Sequence, residues 1–198
     1  MDYWHTESIP EIQPEEQRPG LRRLLIDILE TLIISFVLFL GINAISERIR
    51  VESVSMEPLL YAGDFVLVNK AVYFFDKVPQ RGDIVVFRYP PDPEATPYIK
   101  RVIGLPGDQV RIAATQVFVN GELLDEPYLR EPTARGGEWI VPGNQLFVMG
   151  DNRNNSSDSR SWGFVPLENL IGRAELIYWP PEDWAMLHNN AALAASSP

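Results

Sequence analysis

Apolar and polar positions follow three different rhythms along this chain. Residues 1 to about 20 are rich in Glu, Pro and Gln and carry no apolar period, which predicts a solvated tail. From Leu24 the chain turns almost wholly apolar, and Thr31 to Ser46 contains no charge. Leu24 to Ile45 is long enough to cross a bilayer if Asp27 and Glu30 lie toward the headgroups. A buried core helix would read the same way, so it stays open as an alternative. A cleaved signal peptide fits less well, because the run is long and Glu47-Arg48-Ile49-Arg50 after it lacks a small-residue cleavage pattern.

Beyond residue 51 the rhythm shortens to runs of four to six residues rich in Val, Ile, Phe and Tyr, punctuated by Gly, Pro and Asp. Strands are predicted at 65–68, 84–87, 98–103, 116–119, 122–124, 139–141, 146–149 and 174–179. Asn120-Gly121 predicts a type I′ hairpin, since both residues accept positive φ. The fold class is therefore mostly β: a coiled, antiparallel, barrel-like sheet behind one N-terminal transmembrane helix. The expected organisation is a disordered tail over 1–22, a membrane anchor over 23–46 and one domain over 47–180. That domain would have a core from 51–104 and 143–180, a small β insertion at 105–142, and a loose tail over 181–198 after it.

Composition narrows the chemistry. A formal net charge of −10 on 198 residues, with no basic stripe, argues against a nucleic-acid partner. The absence of Cys removes thiol nucleophiles, disulfides and Cys-ligated zinc. The two histidines, His5 and His188, lie near opposite ends in weakly structured sequence, so a Ser-His-Asp triad has no suitable base. Arg18, Arg22 and Arg23 before the span against Arg48 and Arg50 after it favour a cytoplasmic N-terminus only slightly.

Three stretches could carry chemistry together. Ser53 and Ser55 sit in Val51-Glu52-Ser53-Val54-Ser55-Met56-Glu57-Pro58, directly after the anchor; alone, they read as a polar stop. Lys100 lies in the strand Tyr98-Ile99-Lys100-Arg101-Val102-Ile103 and shares a face with Tyr98 and Val102. To serve as a base it must be desolvated and free of a carboxylate, while a lysine snorkelling to solvent is the competing reading. The third stretch is the polar loop from Gly150 to Arg160. Its Asp and Asn residues invite a calcium reading, but Arg153 stands where an oxygen ligand is needed and no Gly marks the sharp turn. No metal is expected. Asn154 and Asn155 open glycosylation-type triplets, which matter only in a cell that glycosylates.

These stretches resemble the bacterial type I signal peptidases, membrane-anchored serine proteases with a Ser/Lys dyad. Ser53-Val54-Ser55-Met56-Glu57-Pro58 is similar to the family's nucleophile box, and Arg81-Gly82-Asp83-Ile84-Val85-Val86-Phe87 to its next box. Tyr98 to Asp108 is similar to the lysine box, and Gly150 to Arg160 resembles the last box. The resemblance implies Ser55 as nucleophile, Lys100 as base and then acid, and Ser156 bonding the lysine amine. It also implies an oxyanion hole made by the Ser55 N–H and the Ser53 hydroxyl. Asp158 and Arg160 would brace the loop, and Met56 and Ile99 would help line shallow pockets for small side chains.

Leu59 departs from the Thr usual after the Pro of the nucleophile box. The implied substrates are exported preproteins cut after small residues, often Ala-x-Ala, with no cofactor. The implied setting is the outer face of the cytoplasmic membrane, with the lipid bilayer and, transiently, the export machinery as partners. Two rivals are a self-cleaving Ser/Lys repressor-type protease and a non-enzymatic, membrane-tethered β-domain. The first should carry a DNA-binding module and a cleavable linker, which the sequence lacks; the second gives no reason for Ser55, Lys100 and Ser156 to fall in this order.

Overall fold

A computed structural model describes residues 20–74 and 78–187; the expected tails over residues 1–19 and beyond Leu187, with both histidines, lie outside them. The chain forms two compact units that part after Ile42. The first is built on helix α1 (Leu21–Ile45), none of whose residues is buried. At about 1.5 Å per residue it exceeds the roughly 30 Å of a hydrocarbon core, and its best window has a mean hydropathy of 2.4. Thr31 Oγ1 donates to the Asp27 carbonyl at 2.8 Å, which satisfies a polar group inside the apolar run. The helix takes in Leu21 and Arg22, expected in the tail, and releases Ser46, expected in the span. Ser46 instead opens strand β1 (Ser46–Arg50), paired with Asn69 across the ladder.

Every strand pairing in the second unit is antiparallel. Its strands are β2 (Phe65–Asn69), β3 (Ile84–Phe87), β4 (Tyr98–Gly104), β5 (Gln109–Ala113), β6 (Gln116–Val119), β7 (Glu122–Leu123), β8 (Gly137–Ile140), β9 (Gln145–Met149), β10 (Val165–Pro166), β11 (Leu170–Trp179) and β12 (Ala185–Met186). The large sheet has the order β1-β2-β11-β3-β4-β9-β10, with β12 on β11, and the small sheet the order β7-β6-β5-β8. Register shifts in β11 against β2 and β3, and in β4 against β9, bend the large sheet into a half-barrel.

That curl covers both faces of the central strands. Ile84 and Val86 of β3 enter one apolar cluster with Met56, Leu60, Val66 and Val68, while Val85 and Phe87 enter another with Val102, Leu146 and Val148. This is why β3 reads as an unbroken apolar run. The Asn120-Gly121 hairpin has φ of +54° and +86°, as a type I′ turn requires.

The loose tail expected from residue 181 is ordered as far as Leu187. Pro180 and Pro181 interrupt the ladder, but after the turn Pro181–Asp183 the chain returns to pair Met186 with Leu176. Leu187, 3 % exposed, is the apolar side chain that holds this return, packed in the cluster around Val66 and Met56.

Candidate active site

Ser55 sits on the short 3-10 turn Val54–Met56 (α-type periodicity is never reached), between β1 and β2. Two backbone bonds fix the approach: Val51 N–H to the Asp64 carbonyl at 2.8 Å, and Gly63 N–H to the Val51 carbonyl at 2.9 Å. Met56 locks the turn from below. It is fully buried in the core, so it does not face the cleft where the sequence reading put it. At three residues per turn, successive side chains leave such a turn about 120° apart, so Ser55 and Met56 face different surroundings. Leu59 packs against the same core cluster, so the apolar side chain at the departing position is absorbed by packing.

Lys100 arrives from β4, opposite Val85 of β3. It is 3 % exposed, and its Nζ lies 2.7 Å from Ser55 Oγ and 2.9 Å from the Ile99 carbonyl. Ser53 Oγ is 3.1 Å from Ser55 Oγ. The Tyr98 ring, 5.3 Å from Nζ, walls the amine on one side. Burial pushes the Lys100 amine down to about 8, against the opposing pull of Asp158 and Asp151. A cleft of about 340 Å³ opens over these groups, lined by Ile49, Ser53, Ser55, Tyr98, Ile99 and Lys100 among others. Ile99 is thus among the residues of the cleft wall.

The polar loop is built on buried ion pairs. Arg101, the neighbour of Lys100, points to the other face of β4 and holds Asp151 through two bonds of 2.8 and 2.6 Å. Both side chains are almost completely buried, and the guanidinium also lies 4.0 Å over the Tyr128 ring. Arg153 pairs with Glu126 and donates to the Gly150 carbonyl, tying the loop to the segment that follows β7. Asp158 pairs with Arg160 at 2.7 Å and accepts from the Gly150 N–H at 3.1 Å. It also caps helix α2 (Ser159–Trp162) through the Arg160 N–H. These two residues pair with each other and lie outside the cleft lining.

Ser156 is placed differently from what the resemblance implies. Among the described residues its buried Oγ has no hydrogen-bond partner, and the bond to the Lys100 amine is not made in this structure. It packs instead against Gly150. A Cβ on Gly150 would lie 2.3 Å from both Ser156 Oγ and the Ser55 carbonyl, so only glycine lets the loop approach the Ser55 turn this closely.

Sequence reasoning passed over Arg101, Asp151, Arg153, Glu126 and Asn152. The one available signal was Arg101 itself, a guanidinium facing inward on a strand too apolar to leave it unpaired.

The sequence profile described as "Signal peptidase, peptidase S26" matches residues 25–179. The chain belongs to the signal peptidase family. A probable signal peptidase I-2 of Synechocystis is 43 % identical over 169 residues, covering 82 % of this chain and 77 % of that one. The signal peptidase I of Leptolyngbya laminosa is 40 % identical over 185 residues, 88 % of this chain and 90 % of its own. The thylakoidal processing peptidase 1 of Arabidopsis thaliana is 40 % identical over 149 residues, 70 % of this chain and 44 % of its own. As a signal peptidase the protein is a serine endopeptidase that cleaves signal peptides, and its apolar helix marks a membrane-anchored enzyme. The family, the curled β fold and the peptidase activity expected from the sequence all hold, and the two rival readings are not favoured.

Proposed function

We propose that Ser55 and Lys100 carry the cleavage, on the single observation that a buried, carboxylate-free amine lies 2.7 Å from a serine hydroxyl at the floor of a cleft. Neutral Lys100 takes the Ser55 proton as Oγ attacks the scissile carbonyl carbon. The oxyanion that forms is met by the Ser55 N–H and the Ser53 hydroxyl. The first N–H groups of a helical turn lack an intrahelical acceptor, and Ser55 sits at such a position. The Lys100 ammonium then protonates the leaving amine, which frees the mature protein. Water, deprotonated by the regenerated amine, hydrolyses the ester linking the signal peptide to Ser55. Ser156 supplies a second hydroxyl for the lysine amine as the serine is acylated, a role that rests on the family resemblance. Asp158 and Arg160 brace the loop.

Ile99 and Ile49 line an apolar cleft that suits small side chains upstream of the cut, in preproteins of the Ala-x-Ala kind. The reading extends to a single-pass enzyme of the cytoplasmic membrane, with its N-terminus in the cytoplasm and its catalytic unit on the far side. The bilayer holds it, and the export machinery is its transient partner. Residues 47–180 form the peptidase domain, with 105–142 as its insertion.

Ser53→Ala is expected to slow cleavage of a purified Ala-x-Ala precursor by roughly 10²- to 10³-fold without abolishing it, the usual cost of one oxyanion donor. Wild-type rates from Ser53→Ala would remove that hydroxyl from the mechanism. The pH profile gives a separate check. Only the unprotonated amine is competent, so kcat/KM should climb about tenfold per pH unit below the Lys100 pKa and level off above about 8. A rate flat from pH 6 upward would exclude Lys100 as the base.

A further inference from the structure

Asn152 grips the nucleophile turn twice. Its backbone N–H donates to the Ser55 carbonyl and its Nδ2 donates to the Val54 carbonyl, each at 3.1 Å. The second bond reaches further than its acceptor. The Val54 carbonyl and the Ser55 N–H are opposite ends of one planar, trans peptide unit, so they point in opposite directions. A donor that fixes the carbonyl therefore fixes where the N–H aims. It also polarises the amide, which makes the N–H a stronger donor.

The Val54 carbonyl has another partner, the Glu57 N–H at 3.2 Å. That group belongs to the same local turn and moves with it, so it cannot set the turn's orientation against the rest of the site. Asn152 can. It directly follows Asp151, which is held by Arg101, and Arg101 directly follows Lys100 on β4. The strand that carries the lysine thus also anchors the residue that aims the Ser55 amide. Gly150 completes the arrangement by letting the loop backbone come this close.

We propose that the Asn152 side chain is a positioning residue for the oxyanion hole, aiming and polarising the Ser55 N–H through the Val54–Ser55 peptide unit. This rests on the reading of Ser55 as nucleophile and of its N–H as oxyanion donor. Because Asn152 acts through another group, its effect falls below that of a direct donor.

The test uses the full chain in detergent with an Ala-x-Ala precursor, comparing wild type, Asn152→Ala, Asn152→Asp and Ser55→Ala. Rates are normalised to folded enzyme. Asn152→Asp keeps the shape and the backbone N–H but replaces the Nδ2 donor with an acceptor. Both Asn152 variants should lose roughly 10- to 100-fold in kcat, less than the 10²- to 10³-fold of a direct donor. KM should stay as in wild type for both, and for Asn152→Ala, which adds no charge, so should the pH at which activity rises. A peptide aldehyde, which adds to the serine hydroxyl to give a tetrahedral adduct, should lose affinity in step with kcat. A loss confined to KM, unchanged aldehyde affinity, or Asn152→Asp within twofold of wild type would each overturn the proposal. Ser55→Ala separates the two levels: if it still cleaves, the nucleophile assignment falls, whereas an inactive Ser55→Ala beside fully active Asn152 variants removes only the positioning role.

Discussion

Lys100→Met should abolish precursor cleavage, by roughly five to six orders of magnitude if the dyad acts as a unit as other nucleophile–base pairs do. The variant should fold normally. Methionine has nearly the length and volume of the lysine stem, and the site at Nζ is already closed to solvent. Removing an ammonium that burial disfavours costs the fold little. Lys100→Arg should be equally inactive for a different reason, since a guanidinium stays charged at any workable pH and cannot accept the Ser55 proton. Cleavage of an Ala-x-Ala precursor, followed by gel at high enzyme concentration beside a thermal melt, reads both effects. Normal cleavage by a folded Lys100→Met would force a search for another base.

Asp151→Ala should have the largest effect on stability. It leaves the Arg101 guanidinium buried and unpaired, and breaking such a pair from one side costs about 3–5 kcal/mol. For a chain of this size that corresponds to a fall in melting temperature on the order of 10 °C. Activity should fall too, because the next residue in the loop holds the nucleophile turn. Asp151→Asn, which keeps one hydrogen bond to the guanidinium, should lie between the two. A melting temperature within about 2 °C of wild type would mean that water reaches Arg101 and that the pair is not the closed one described.

The sequence showed the chemistry more clearly than the scaffold that holds it. The proposed Ser55 and Lys100 stood out because each lies in a dense box of residues in family order, and β3 and β9 because double-sided burial writes a continuous apolar run. β1 was not visible. Ser46-Glu47-Arg48-Ile49-Arg50 looks like a charged linker, and its strand character comes from pairing with β2, some twenty residues away. Met56 was misplaced because composition cannot tell which side of a tight turn a side chain takes. The Arg101–Asp151 and Arg153–Glu126 pairs span 50 and 27 residues. Neither local pattern nor propensity carries such separations; only the fold brings them together.

Four cationic side chains, Lys100, Arg101, Arg153 and Arg160, are buried around the polar loop, against three carboxylates, Asp151, Glu126 and Asp158. Each carboxylate is already matched to one arginine, so one positive charge is left over. The three guanidiniums cannot shed it. Lysine can, and it is also the cation that touches the serine hydroxyl. Burial lowers the Lys100 pKa, and the pairing of each of these carboxylates with an arginine leaves none of the three free to hold the amine charged. A change that released any one of the carboxylates from its arginine would offer the lysine a counterion and return it to the charged, silent form.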